Sequence, residues 1–416
     1  MQVKDFTVAK RRVFYIPGYD PIHPRRYREL YRKEGADQAK ISGYKVDLTA
    51  DQEAHKNSEH YGWRVKGAMD GTRTETDFKV LLWSDIVKDS MVLSIPRTYL
   101  VLARTAWTYV YSGALRRLMW LQKGPVIAAL YPIAMLLLQL LIAVLVAWFV
   151  GENVAKGLRV LVDWPLVGQL LGWTAALPLI VVILRGFRKI DNKLFAYYLM
   201  HDYAYSARSK GETSPELETR MASFGDEIAA ALNSDVDEVL VVGHSSGAHI
   251  GVSVLADLIR SGRVDEDGPE LAFLSLGHVV PMVSFLPRAY RLRADLKYLS
   301  ARPELTWVDV TAPGDGCTFA LCDPVAVSGV APKDKRWPLV FSASFTQTLS
   351  AKRRADLRWR FFRLHFQYMC AFDQPKDYDY FQITAGPMTL QHRYFNRAPS
   401  ISRIDVPASP YTSTAP

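Results

Sequence analysis

Residues 237–260 limit the fold more than any other stretch, because they read as a buried strand, a tight turn and a helix in immediate succession. Val239, Leu240, Val241 and Val242 form a short continuous apolar run, the pattern of a central parallel strand covered on both faces. Ile250, Val254, Leu255, Leu258 and Ile259 follow at helical spacing, and Gly262 supplies a helix stop. Further strands are expected at 12–18, 44–48, 78–83, 271–280, 306–310 and 339–345, with a hairpin at Asp70-Gly71, a dipeptide suited to a tight turn. Helices are expected over 24–35 and from Ser214-Pro215 onward, where Leu217, Met221, Phe224, Ile228 and Leu232 share one face. This alternation specifies an α/β chain with a doubly wound, mostly parallel sheet.

Between the strand and helix of residues 237–260 lies Gly243-His244-Ser245-Ser246-Gly247, a G-x-S-x-G pattern. Small neighbours let the backbone turn sharply and expose the Ser245 hydroxyl, while the unpaired N–H groups of the helix start face any developing oxyanion. In this order of strand, turn and helix the chain resembles the α/β-hydrolase superfamily of serine esterases and lipases. The resemblance covers residues 12–84 and about 195–395. It implies Ser245 as nucleophile and an oxyanion hole formed by the backbone N–H of Ser246 and that of Tyr19, which follows Pro17-Gly18 after the first strand.

The resemblance also implies that an acid and then a histidine follow the serine in the chain. Asp315 lies in a Pro-Gly-Asp-Gly turn beyond the strand at 306–310, the edge at which doubly wound sheets carry their sites, and is preferred to Asp309 and Asp323. Of the two histidines that come later, His365 is preferred to His392 because it follows the strand at 339–345. His244 and His249 neighbour the serine in sequence, which does not put an imidazole at the correct face of its Oγ, and His278, after Gly277 at a strand end, is expected to be structural. An Asp-Gly at 315–316 also resembles the dyad of patatin-like lipases, but the glycine-rich loop those enzymes place before the serine is missing.

Two uncharged runs interrupt this pattern. Residues 124–151 contain nothing ionisable except Tyr131, and residues 164–184 form a second run broken by Pro165 and Pro178. A membrane span needs about 20 such residues, so spans are expected at about 125–150 and 164–184. Arg116, Arg117 and Lys123 precede the pair and Arg185, Arg188, Lys189 and Lys193 follow it, which predicts that both outer ends stay in the cytoplasm. Basic and aromatic residues alternate over 89–123, as on a helix lying at a membrane surface. A buried helical hairpin or a lid over the site is the alternative. The net charge of +9 suits anionic lipid, and no nucleic-acid partner is expected. The first twelve residues hold no apolar leader, and the three cysteines have no metal-ligand spacing.

The expected organisation is thus a hydrolase domain in two parts, 1–88 and 195–395, an inserted membrane hairpin with its interfacial helix at 89–194, and a disordered tail at 396–416. The expected protein is a multi-pass, membrane-anchored serine hydrolase acting on the cytoplasmic side, on a carboxylic ester or thioester with lipid among the candidates. It would need no cofactor or metal, and its oligomeric state is open. A silent hydrolase fold serving as a membrane scaffold, or an acyltransferase using the same serine, are the alternatives. A transporter is disfavoured because neither run carries an intramembrane charge.

Overall fold

The structure is a computed structural model that describes residues 7–21, 23–50, 61–91, 93–161 and 165–416. Residues 1–6 of the leader reading, Asp163 between the apolar runs, and Trp164, the first residue of the second run, lie outside the described residues.

Lys10–Ile16 (β1) enters the middle of the sheet at once. The helix Arg25–Ser42 (α1) ends at Gly43, whose φ of 77° suits a residue without a side chain. Lys45–Ala50 (β2), Tyr61–Met69 (β3) and Thr72–Val80 (β4) then form an antiparallel extension. The hairpin turn falls on Asp70 and Gly71, with φ of 51° and 76° and Met69 opposite Thr72. β4 pairs parallel with β1, and β1 with Glu238–His244 (β5). Glu270–Leu276 (β6), Leu305–Thr311 (β7) and Leu339–Ser342 (β8) complete the parallel side, in the order β2-β3-β4-β1-β5-β6-β7-β8.

The continuous apolar run of β5 has a direct cause: Val239 and Val241 join the core on one face of the sheet, and Leu240 and Val242 the core on the other.

The stretch expected as one interfacial helix is three, Ser84–Met91 (α2), Ile95–Tyr111 (α3), which starts with Pro96 in its first turn, and Ala114–Leu121 (α4), which follows Gly113 with its φ of 73°. Lys123–Leu161 (α5) and Pro165–Lys189 (α6) follow. α5 stays helical well past residue 151, so most of the loop expected at 152–163 is helix. Residues 123–158 and 169–189 are long and apolar enough to cross a membrane, with mean hydropathy 2.8 and 1.9. Only 22% and 18% of their apolar windows are buried inside the protein, unlike helices of a soluble core. The two helices pack through small residues: a Cβ on Gly172 would stand 2.5 Å from the Gly151 carbonyl oxygen.

After Asp191–Leu194 (α7), Ala196–Arg208 (α8) packs on α3 and α5, with Met200 and Ala204 beside Leu102 and Leu136. The boundary expected at 194 therefore falls inside one packed unit. Pro215–Leu232 (α9), capped by the Ser214 hydroxyl, and Gly247–Arg260 (α10) cover the face of β5 that carries Val239 and Val241. The tail expected to be disordered is docked. Ile404 exchanges backbone hydrogen bonds with Leu321 and Asp323, Ala408 is buried, and the Ser413 carbonyl accepts from Arg293. Its polar composition concealed backbone pairing, which no side-chain pattern reports.

Candidate active site

The Gly243–Gly247 turn and the first-strand loop meet where β1 and β5 end side by side. Ser245 has φ 56°, a left-handed conformation costly for a residue with a side chain and characteristic of functional corners. Its N–H donates to the Leu276 carbonyl (2.9 Å), and its carbonyl accepts from Ala248 N–H (3.2 Å), which ties the turn to β6 and α10. Gly247 is required here because a Cβ would lie 2.1 Å from the Ile16 carbonyl oxygen. The opposing loop is held by two donors: Trp83 Nε1–H to the Pro17 carbonyl at 2.9 Å, and the Tyr198 hydroxyl to the Tyr19 carbonyl. A Cβ on Gly18 would stand only 3.0 Å from that of Ser245, so the Pro17-Gly18-Tyr19 loop lies directly against the serine.

Asp315 and His365, 50 residues apart in the chain, are joined by a 2.7 Å hydrogen bond between Oδ2 and Nδ1. The Asp315 side chain is fully buried, where an unpaired carboxylate would be costly. It accepts also from Cys317 N–H at 2.9 Å and from the Tyr368 hydroxyl at 3.1 Å, and that hydroxyl accepts in turn from Ala312 N–H at 3.0 Å. An acceptor at Nδ1 favours the tautomer protonated there and leaves Nε2 with its lone pair. The imidazole edge lies beside Gly277, where a Cβ would be 3.2 Å from Cε1.

Ser245, Ser246, Tyr19 and His365 all line one cavity of about 430 Å³, with Asp202, Tyr198, Tyr203, Met282 and Phe366 also in its walls. Among the described residues the side-chain hydrogen bond of His365 goes to Asp315, and none joins it to Ser245 Oγ. Burial, reinforced by the nearby His365, holds the His244 imidazole well below its ordinary pKa, and burial brings His249 down to about 4. Both stay neutral near pH 7. His244 Nε2 is in addition bonded to the His365 carbonyl at 3.0 Å, so it braces the backbone of that residue.

The other candidates are placed elsewhere. Asp309 takes a hydrogen bond from Ser275 at 2.5 Å and lies 3.6 Å from His278, with its carboxyl raised by burial to about 6. Asp323 caps a short helix and pairs with Lys335 at 2.6 Å. His278 contacts the Cys322 carbonyl at 3.0 Å, and His392 sits on the short helix Leu390–Tyr394. Asp315, Cys317 and His365 bring three donor types within 4.8 Å of one another. Burial and the adjacent carboxylates push the Cys317 thiol up, away from the thiolate a metal requires.

Sequence reasoning missed Tyr368 and Asp202. Tyr368 sits three positions after His365, but nothing in that spacing points to a carboxylate on another loop. The α8 helix that carries Asp202 reads only as a polar stretch between the apolar runs and α9. The chain matches no protein-family model, no curated protein and no solved structure.

Proposed function

We propose that the chain is a membrane-anchored serine hydrolase of α/β-hydrolase type, cleaving a carboxylic ester or thioester from the cytoplasmic side. The observation that carries this reading is the convergence, on one cavity, of a serine in a left-handed strand-to-helix corner and a histidine bonded to a buried aspartate. In this reading Nε2 of His365 takes the Ser245 proton as Oγ attacks the substrate carbonyl. The backbone N–H groups of Ser246 and Tyr19 receive the oxyanion. When the tetrahedral adduct collapses, the imidazolium gives its proton to the departing alcohol or thiol, leaving an ester on Ser245. Water, deprotonated by the same imidazole, releases the acid and restores the serine. Asp315 keeps the ring oriented throughout and stabilises its charged form.

A fluorophosphonate should label the purified full-length chain on Ser245, as read by peptide mapping. Ser245→Ala should lose the label and lower ester turnover by at least about 10³-fold. Wild-type protein that is folded yet neither labelled nor active on a panel of esters would remove the enzyme reading and leave the scaffold.

A further inference from the structure

A second cavity lies beside the one that Ser245 and His365 line. It has a volume of about 140 Å³, and Tyr109, Tyr203 and Met282 line both spaces. The partition is held in place, with the Tyr109 hydroxyl donating to the Met282 carbonyl at 2.9 Å. Beyond it the walls come from α3, α4, α8 and the first turns of α5, with Ala106, Leu118, Val126, Ala129, Ile133 and Met200 among them. No charged side chain lines this space. The neighbourhood is the foot of the membrane-length helix α5, where a Cβ on Gly124 would lie 3.7 Å from the carbonyl oxygen of Gly316, next to Asp315. Around the outside of the same helices Trp107, Val110, Tyr111, Trp120 and Ile127 are each at least 60% exposed, an apolar and aromatic rim suited to a lipid surface.

A different space of about 470 Å³ adjoins the catalytic cavity, sharing Ser206, His249 and Val283 with it. Its walls include Asp89, Arg208, Glu212 and Glu216, so it is unsuited to a hydrocarbon. Apolar void beside a nucleophile costs stability in proportion to its volume, and that cost is recovered when an apolar ligand fills it.

Resting on the serine-hydrolase reading, we propose that the cavity between α3, α4, α5 and α8 is the acyl-chain subsite, and that the substrate is a long-chain acyl ester or thioester drawn from the bilayer. The acyl carbonyl sits at Ser245, and the chain passes Tyr203 and Met282 toward the foot of α5. The leaving group remains on the polar side.

The test uses the full-length protein in detergent micelles, with p-nitrophenyl butanoate and hexadecanoate as substrates and a hexadecanoic acid carrying a terminal diazirine as photoprobe. In the wild type the probe should crosslink to peptides within residues 105–133. Ala129→Trp and Ala106→Phe fill the space from two walls. Each should weaken that crosslink and lower the ratio of kcat/KM for hexadecanoate over butanoate by about tenfold or more, the effect expected when a few methylenes lose their contacts. Crosslinks that map instead to residues 205–216, or a ratio unchanged in both variants, overturn the proposal. So does a loss of both substrates in equal measure in both variants. Failure of the hydrolase reading looks different: neither ester is turned over and Ser245 takes no phosphonate, while the crosslink still reports the subsite.

Discussion

Asp202 lies in the wall of the cavity that Ser245 and His365 line, and burial raises its carboxyl from 3.8 to about 7 despite the opposing attraction of His365. Between those two values the folded protein holds a proton that the unfolded chain has released, so this group's contribution to stability falls as pH rises across the window. Asp202→Asn removes the titration. Denaturant midpoints measured from pH 4 to pH 8 should therefore show wild type losing stability relative to the variant as pH rises through the window up to about 7. Parallel curves would mean that the carboxyl is hydrated and ordinary. The contrast with the candidate triad is instructive. Ser245 was legible from its motif, and Asp315 and His365 from chain order and strand ends, because a strand's carboxyl end can be read from its apolar run. Asp202 and Tyr368 were not legible, because their surroundings are created by contacts between elements far apart in sequence, such as the Tyr368–Asp315 bond across 53 residues.

At the scale of elements, the polar start of β1 conceals a clamp. Lys10, Arg11 and Arg12 read as a basic terminus, but strand alternation turns Arg11 inward, where it and Glu238 of β5 both have fully buried side chains 2.5 Å apart. The guanidinium also donates to the carbonyls of Gly386 (2.8 Å) and Met388 (2.6 Å), and Glu238 accepts from Leu390 N–H at 2.6 Å. The pair thus fastens the C-terminal segment to the two central strands. Removing one partner strands the other charge in the core, so Arg11→Ala or Glu238→Ala should lower unfolding free energy by about 3–5 kcal/mol. Arg12→Ala, which breaks a 3.6 Å pair with Asp77 in which both side chains are 35% exposed, should cost no more than about 1 kcal/mol. Urea titration of the three variants decides it, and equal costs would show that the clamp contributes nothing beyond a surface pair. Element identity was largely readable in this chain, as β5, α9 and the Asp70-Gly71 hairpin show. Element ends were less so. α5 runs on through Glu152, Ala155, Lys156 and Leu158, which favour a helix, in spite of Asn153 and Gly157, and the tail orders through backbone pairing that composition does not encode.

For the whole molecule, the attachment of the apolar hairpin bears on how it meets a membrane. Its entry is fixed by Gln122 Nε2, which donates to the Ala320 carbonyl at 2.5 Å, and its exit by Arg188, which donates to the Leu93 carbonyl at 2.8 Å. Both feet therefore stand on the same body, in keeping with the basic residues on both outer flanks. Tags after Gly71 and after Phe395 should be accessible on one side of a sealed vesicle, and a tag at Asn153 on the other. Excision tests what the hairpin does, and where the cut is made matters. Val126 and Leu136 are buried against the body, so removing all of 124–184 would strip a wall from the cavity at the foot of α5. In an antiparallel pair the numbers of facing residues keep a constant sum, and the approach of Gly151 to Gly172 therefore sets Gln139 level with Leu184. Joining residue 140 to residue 185 through a short Gly-Ser linker spares the feet and removes the part that would enter a bilayer. That variant should keep short-chain ester turnover within about threefold of wild type, while flotation with anionic vesicles and hydrolysis of long-chain lipid in those vesicles fall by about tenfold or more, since delivery from the bilayer is lost but the chemistry is not. Loss of short-chain and vesicle activity together would assign the distal hairpin to the fold itself. Undiminished flotation and vesicle activity would instead place membrane attachment in the exposed aromatic faces of α3 and α4.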